Sequence, residues 1–125
     1  MKNAVNWFEI PATDYERAKK FYSAVLGETI SDFHMPEKKM KYGVFAYDQK
    51  SQGVGGAIVE MEGMNPSADG STVYLNGGDD LNVALSRVEA AGGTVIMPKM
   101  NIDENGFIAQ FVDTEGNRVA LHSMG

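Results

Sequence analysis

The sequence repeats itself at an offset of 66 residues, and an internal repeat constrains the fold of a short chain more than any single motif does. When residues 7–30 are laid over residues 73–96 without a gap, five pairs are identical, namely Asp14/Asp80, Ala18/Ala84, Ala24/Ala90, Gly27/Gly93 and Ile30/Ile96. Both windows carry the same structural signals in the same order. We therefore predict two tandem copies of one module.

Each window contains a strand followed by an amphipathic helix. Strand-like runs occupy residues 5–10 and 71–76. The Thr13-x-x-Glu16 spacing predicts a capping box, and Asp79-Asp80 offers the equivalent helix start. Glycines at Gly27 and at 92–93 predict the helix ends. The apolar positions have helical spacing in both copies: Ala18, Phe21, Tyr22 and Val25, then Leu81, Ala84, Leu85 and Val88.

Three more strand-like runs follow each helix, so each module is predicted to be βαβββ. We place them near residues 28–34, 39–47 and 54–60, then near 94–99, 106–113 and 117–123. The expected fold is α+β, a single domain over residues 1–125. Module one spans 1–62, a linker covers about 63–70, and module two spans 71–125.

Composition excludes several functions. With a net charge of −6 and a pI near 4.8, the chain has no basic surface for nucleic acid. The first residues lack the apolar core of a signal peptide, and no apolar run reaches the ~18 residues of a membrane span. We expect a cytoplasmic protein. The absence of cysteine removes disulfides, thiolate metal sites and a cysteine nucleophile.

Several motifs resemble those of one superfamily, the vicinal oxygen chelate proteins. They are Phe8-Glu9-Ile10-Pro11, Asp14-x-x-Arg17-Ala18-x-x-Phe21-Tyr22-x-x-Val25-Leu26-Gly27, Ala90-Ala91-Gly92-Gly93 and Asp113-x-x-Gly116-Asn117. The superfamily includes glyoxalase I, bleomycin-resistance proteins, fosfomycin-resistance enzymes and extradiol dioxygenases. The resemblance implies an open, mostly antiparallel, barrel-like sheet with a central cavity, and a homodimer.

In the metal enzymes of this superfamily, the ligands come from the first and last strands of each module. The resemblance places Trp7, Val73 and Ala120 at three of these positions. The fourth falls within residues 55–60, in an uncertain register, where only Glu60 has a donor atom. Because tryptophan, valine and alanine offer no donor, we predict no metal and no other cofactor. A divalent metal stays the alternative.

Two polar residues accompany these positions. Strand alternation puts Glu9 on the face of Trp7, and His122 on the face of Ala120. If that face lines the cavity, Glu9 and His122 are candidates for an acid/base pair, or for anchors of a ligand stacked on Trp7. The alternative is structural, with Glu9 bonded to backbone and His122 solvated. We expect His34 on the surface.

Three hypotheses remain open. The first is a metal-independent protein that binds a small molecule, aromatic or cationic, through Trp7, Glu9, Val73, Ala120 and His122. The second is an enzyme of the lyase, isomerase or dioxygenase type, using a divalent metal or the Glu9/His122 pair. The third is a structural or partner-binding module.

Overall fold

The computed structural model describes residues 3–33 and 39–125. In module one it gives β1 (Trp7–Pro11), α1 (Tyr15–Leu26), β2 (Ser31–Phe33), β3 (Met40–Val44) and β4 (Gly55–Met61). In module two it gives β5 (Tyr74–Asn76), α2 (Asn82–Val88), β6 (Thr94–Asn101), a short 3-10 helix (Asp103–Asn105), β7 (Phe107–Val112) and β8 (Arg118–Ser123). His34, which we expected on the surface, lies outside the described residues.

The strands form two four-stranded sheets with the same topology, in the orders β1-β4-β3-β2 and β5-β8-β7-β6. In each sheet the first and last strands of the module pair in parallel, and the other pairs are antiparallel. The predicted α+β fold of two βαβββ modules is confirmed. Both sheets are open, and they do not close into a barrel. The strand predicted over 71–76 is only three residues long, Tyr74–Asn76.

The first helix begins one residue later than the predicted capping box. Asp14 is the N-cap, and its carboxylate accepts the N–H of Arg17 at 3.1 Å. Thr13 donates its hydroxyl to Glu115 instead, at 3.0 Å, so the predicted Thr13 cap is wrong. Gly27 ends the helix in the left-handed conformation, at φ 67°, as predicted.

The second helix is shorter, and its N-cap residue is Leu81, which makes no side-chain capping hydrogen bond. The predicted cap residue Asp80, two positions before the first helical residue, still accepts the N–H of Asn82 at 2.9 Å. Asp80 therefore satisfies one of the free N–H groups at this end. No helix among the described residues is long and apolar enough to cross a membrane.

One hydrophobic core joins the two modules. It contains residues from both helices and both sheets. The two helices contact each other, and the rings of Phe21 and Tyr22 in α1 reach Phe111 of the second sheet, at 5.8 and 6.5 Å between centroids. Because side chains alternate along a strand, the other face of each sheet is turned away from this core. We call it the outer face.

Candidate functional site

The strand register assigns residues to the outer face of the first sheet. Phe8 and Ile10 of β1 belong to the core, so Trp7 and Glu9 lie on the outer face. Trp7 pairs with Gly55 and Glu9 with Ala57, which resolves the uncertain register of the fourth strand. Tyr42 of β3 pairs with Val59 of β4 on the same face.

A chain of two hydrogen bonds connects three side chains on this face. The indole N–H of Trp7 donates to the hydroxyl oxygen of Tyr42 at 2.8 Å. The same hydroxyl donates to Oε2 of Glu9, also at 2.8 Å. Both roles of the tyrosine oxygen are filled, and they fix the orientation of the indole ring and the carboxylate. Glu9 therefore accepts a hydrogen bond from a side chain, whereas the structural alternative predicted a bond from the backbone.

A second aromatic ring completes the site. Tyr47 meets Trp7 edge to face, with 5.9 Å between ring centroids. A Cβ atom at Gly55 would overlap the Tyr47 ring, so the glycine allows this ring to lie against β4. Trp7 remains 39% exposed. The result is an aromatic surface that solvent reaches, with a carboxylate beside it.

The electrostatics of this site centre on Tyr42. Partial burial raises the pKa of Tyr42 above its usual value of 10.0, and the bond to Glu9 adds to the rise, while the bond from Trp7 opposes it. Tyr42 is therefore neutral at physiological pH and Glu9 carries the negative charge. A fixed carboxylate beside an indole face favours a cationic group.

Trp7 also lines a large groove between the two modules, of about 1430 Å³. Residues of both modules form its walls, including Val5, Trp7, Val54, Val73, Tyr74 and Val83. Its acidic lining residues are Glu28, Asp79 and Asp80. Arg87 is the one basic residue among the described lining residues, and it donates to the carbonyl oxygen of Val25 at 3.3 Å. The groove is thus both apolar and acidic.

The second module places the predicted residues differently. Val73 lines the groove, but it precedes β5 and packs against the core, and Tyr74 occupies the outer face beside Ala120. Ala120 itself is fully buried. His122 lies near the C-terminal end of the sheet, where its Nε2 is 2.6 Å from the carbonyl oxygen of Asn105, and it lines a second cavity of about 570 Å³.

Glu9 and His122 lie on different sheets and have different hydrogen-bond partners. Among the described residues they share neither a hydrogen bond nor an ion pair: Glu9 accepts from Tyr42, and Nε2 of His122 is 2.6 Å from the carbonyl oxygen of Asn105. The acid/base pair predicted from strand alternation would need both side chains at one substrate. The acid/base pair stays a prediction.

The donor atoms needed for the superfamily's metal are not assembled either. Glu60 lies on the core side of β4 and accepts the N–H of Tyr15 at 2.7 Å, at the start of α1. Across residues 3–33 and 39–125, no group of three or more histidine, aspartate or glutamate side chains could hold a metal ion. The residues at the family's ligand positions thus do not fit a divalent metal.

Sequence reasoning identified Trp7 and Glu9 but missed Tyr42 and Tyr47. Tyr42 lies 33 residues from Glu9 in the sequence, and only the β1-β4-β3 order brings the two together. A usable signal was present, since the alternation of β3 around the buried Gly43 puts Tyr42 and Val44 on one face.

Comparison with known proteins identifies relatives. A family model described as the Glyoxalase/Bleomycin resistance protein/Dioxygenase superfamily matches residues 4–121. A glyoxylase-like domain-containing protein of Didymella fabae is 31% identical over 122 residues, covering 94% of this chain and 91% of that protein. The putative glyoxylase CFP32 of Mycobacterium tuberculosis is 28% identical over 120 residues, covering 93% of this chain and 44% of that protein. The chain thus spans about half the length of this mycobacterial relative.

Solved structures show the same fold. A glyoxalase/bleomycin resistance protein from Albidiferax ferrireducens superposes with a TM-score of 0.68 at 17% identity, covering 98% of this chain and 100% of the other. Glyoxalase I from Zea mays superposes with a TM-score of 0.69 at 20% identity, covering 94% of this chain and 45% of the other. At these identities the likeness concerns the fold, and the chemistry has to be argued from the site.

Proposed function

Because the chain belongs to the Glyoxalase/Bleomycin resistance protein/Dioxygenase superfamily, we propose that it binds a small aromatic cation without a metal. The ligand would stack on Trp7, and Glu9 would face its positive charge. The observation that carries this proposal is the hydrogen-bond chain from Trp7 through Tyr42 to Glu9. It orients an aromatic face and a carboxylate before any ligand arrives, which lowers the entropy cost of binding.

The position of Trp7 supports the same conclusion. Its ring lies both on the outer face beside Glu9 and in the lining of the groove between the modules. A ligand stacked on it would extend into a space with an apolar wall and an acidic rim. The net charge of −6 adds a general attraction for cations.

Fluorescence titration tests the proposal directly, since Trp7 is the only tryptophan in the chain. Benzyltrimethylammonium is the probe, and neutral benzyl alcohol of similar ring size is the comparison. We expect a saturable change with the cation and binding about tenfold weaker with the alcohol, because the cation adds an electrostatic attraction to both Glu9 and the indole face.

A matched variant tests whether the negative charge of Glu9 is responsible for the preference for the cation. Glu9→Gln keeps an acceptor for Tyr42 but removes the negative charge, so the preference for the cation should shrink to about threefold or less. Equal affinity for the cation and the alcohol in the unmodified protein would contradict the proposal. Elemental analysis of protein purified without chelator checks the metal-free part, and one tightly held metal ion per chain would contradict it.

We also propose that the chain forms a homodimer. Among the described strands, β1 and β5 are both edge strands, each with one free edge, and apolar side chains near them other than the proposed ligand-binding residues are exposed: Val5, Val54 and Val83. A free strand edge next to apolar surface is a ready site for a second chain. Light scattering after size exclusion tests this, and the mass of a single chain at micromolar concentration would contradict it.

A further inference from the structure

The second sheet differs from the first in charge. None of its four strands contains aspartate or glutamate, whereas the strands of the first sheet contain Glu9, Asp32 and Glu60. The chain as a whole is acidic, with 17 acidic and 11 basic residues, so this sheet differs in charge from the rest of the chain. Its outer face carries a cation, Arg118.

The direction of Arg118 follows from its strand. Val119 and Leu121 of β8 belong to the core, so Arg118, Ala120 and His122 are on the outer face. Arg118 is half-buried there, and its backbone is fixed by pairing with Val112 of β7. The side chain therefore starts from a rigid position.

The guanidinium of Arg118 lacks a partner. Its Nε is buried and has no hydrogen-bond acceptor, and no ion pair of the described residues includes Arg118. The chain has two other arginines, and both are engaged, Arg17 with Glu115 and Arg87 with the carbonyl oxygen of Val25. A buried donor left without an acceptor costs free energy, so an unpaired Nε indicates a partner that residues 3–33 and 39–125 do not supply.

Further donors lie near it on the same face. Gln110 pairs with Ala120 across β7 and β8, which makes it the diagonal neighbour of Arg118, within reach of long side chains. The side-chain N–H of Gln110 donates to the hydroxyl oxygen of Tyr74 at 3.4 Å, a long bond, and the Tyr74 hydroxyl has no acceptor of its own in the described part of the chain. Within the described residues, two hydrogen-bond donors of this cluster, Nε of Arg118 and the hydroxyl of Tyr74, thus have no acceptor.

We infer that Arg118 forms, with Tyr74 and Gln110, an oxyanion-binding site on the outer face of the second sheet, for a carboxylate or phosphate group of a small molecule. A guanidinium presents its N–H groups as a planar fork that matches two oxygens of such a group. Tyr74 lines the same groove as Trp7, but Arg118 belongs to the other sheet and takes a ligand group of the opposite charge.

Nuclear magnetic resonance tests the inference, because the chain has three arginines and hence three Nε–H signals. The labelled protein is titrated with sodium phosphate and separately with sodium acetate, with sodium chloride held at equal ionic strength as the reference. We expect the Arg118 Nε–H signal to move and saturate while those of Arg17 and Arg87 do not. Saturation with phosphate alone identifies a phosphate site, and saturation with acetate alone identifies a carboxylate site.

Two variants complete the test. Arg118→Lys keeps the charge but loses the fork, and we expect affinity to fall about tenfold, followed through the backbone amides of Gln110 and Ala120. Lys20→Gln removes one exposed positive charge from α1 and should change affinity less than twofold. No saturation with either anion, or equal affinity in Arg118→Lys, would overturn the inference. Neither outcome depends on whether Trp7 binds a cation.

Discussion

Arg17 in the first helix and Glu115 in the last turn form an ion pair that joins the two modules, with 2.6 Å between Nε and Oε2. The arginine is half-exposed at 49%, whereas the side chain of Glu115 has no exposed surface. The backbone N–H groups of Thr13 and Asp14 also donate to Oε1 of Glu115, at 2.9 and 2.8 Å. A carboxylate from module two thus satisfies the helix start of module one.

Replacing this carboxylate should destabilise the whole chain. Glu115→Gln removes the charge and offers one oxygen where several donors converge, so we expect a loss of about 2 kcal/mol in the free energy of unfolding. Urea unfolding measures it as a lower midpoint at unchanged slope. The exposed Glu16→Gln in the same helix serves as the control and should change stability by less than about 0.5 kcal/mol. Equal effects of the two substitutions would mean that Glu115 is not a specific link.

The same carboxylate should make stability depend on pH in the acid range. Burial acts to raise the pKa of Glu115, but hydrogen bonds from Arg17, Asp14, Thr114 and Thr13 outweigh it and lower the pKa from 4.5 to about 2. A lowered pKa means that the stabilisation is complete above the unfolded value and is lost as the pH falls towards 2. The stability difference between the unmodified protein and Glu115→Gln should therefore shrink between pH 5 and about 2. A constant difference across this range would contradict the assignment.

A buried hydrogen bond supports the same junction. The hydroxyl of Tyr22 in α1 donates to Oδ2 of Asp113 at 2.6 Å, and Asp113 is 4% exposed. Tyr22→Phe leaves the carboxylate with one donor fewer, and we expect a loss of about 1–2 kcal/mol in the free energy of unfolding. Tyr74→Phe, at an exposed tyrosine, is the matched control and should cost little. Thermal unfolding of both variants distinguishes the buried bond from a general effect of losing a hydroxyl.

Substitutions at two adjacent glycines of β4 should have different effects, because one glycine faces the Trp7 site and the other faces the core. Gly55 faces Tyr47, and Gly56 faces Phe8, which packs against the core. Gly55→Ala should displace the Tyr47 ring and change the fluorescence of Trp7, because the two rings are in contact. Gly56→Ala should lower stability by about 1–3 kcal/mol through overpacking, with less effect on Trp7. Identical fluorescence changes in both variants would show that the outer face and the core are not independent.

Tyr42 should ionise at a higher pH than an ordinary tyrosine. Because its pKa is raised, Tyr42 should ionise above pH 10, and Tyr42→Phe should lose part of the tyrosinate absorbance in that range while the absorbance at lower pH is unchanged. Ionised Tyr42 can no longer donate to Glu9, so the fluorescence of Trp7 should change over the same pH range. If Trp7 responds identically in Tyr42→Phe, the hydrogen-bond chain does not control the indole.

Local signals in the sequence predicted most of the fold. The helical spacing in α1 and the left-handed Gly27 depend on residues a few positions apart, and the structure agrees with both. The predicted Thr13 cap is wrong because the Thr13 hydroxyl donates its hydrogen bond to Glu115, 102 residues away. A contact at that separation outweighs a local preference and leaves no local trace in the sequence.

The site was harder to predict than the fold. The ungapped repeat made Val73 equivalent to Trp7, but in module two Tyr74 is the residue on the outer face. A shift of one residue moves a side chain to the opposite face of a strand, so a repeat aligned on its helices does not fix the face of its strands. Glu60 has a carboxylate that could bind a metal, but it lies on the core side of β4, where it accepts the N–H of Tyr15.

The turn at residues 113–117 has a consequence for folding during synthesis. Asn117 donates to the carbonyl oxygen of Pro11 at 2.7 Å, and Glu115 accepts from Thr13 and Asp14, so the end of the chain completes the start of its first helix. Synthesis proceeds from the N-terminus at about 5–20 residues per second. The groups that complete the start of the first helix are therefore synthesised roughly 5–20 s after it, and until then the N–H groups of Thr13 and Asp14 lack the Glu115 carboxylate.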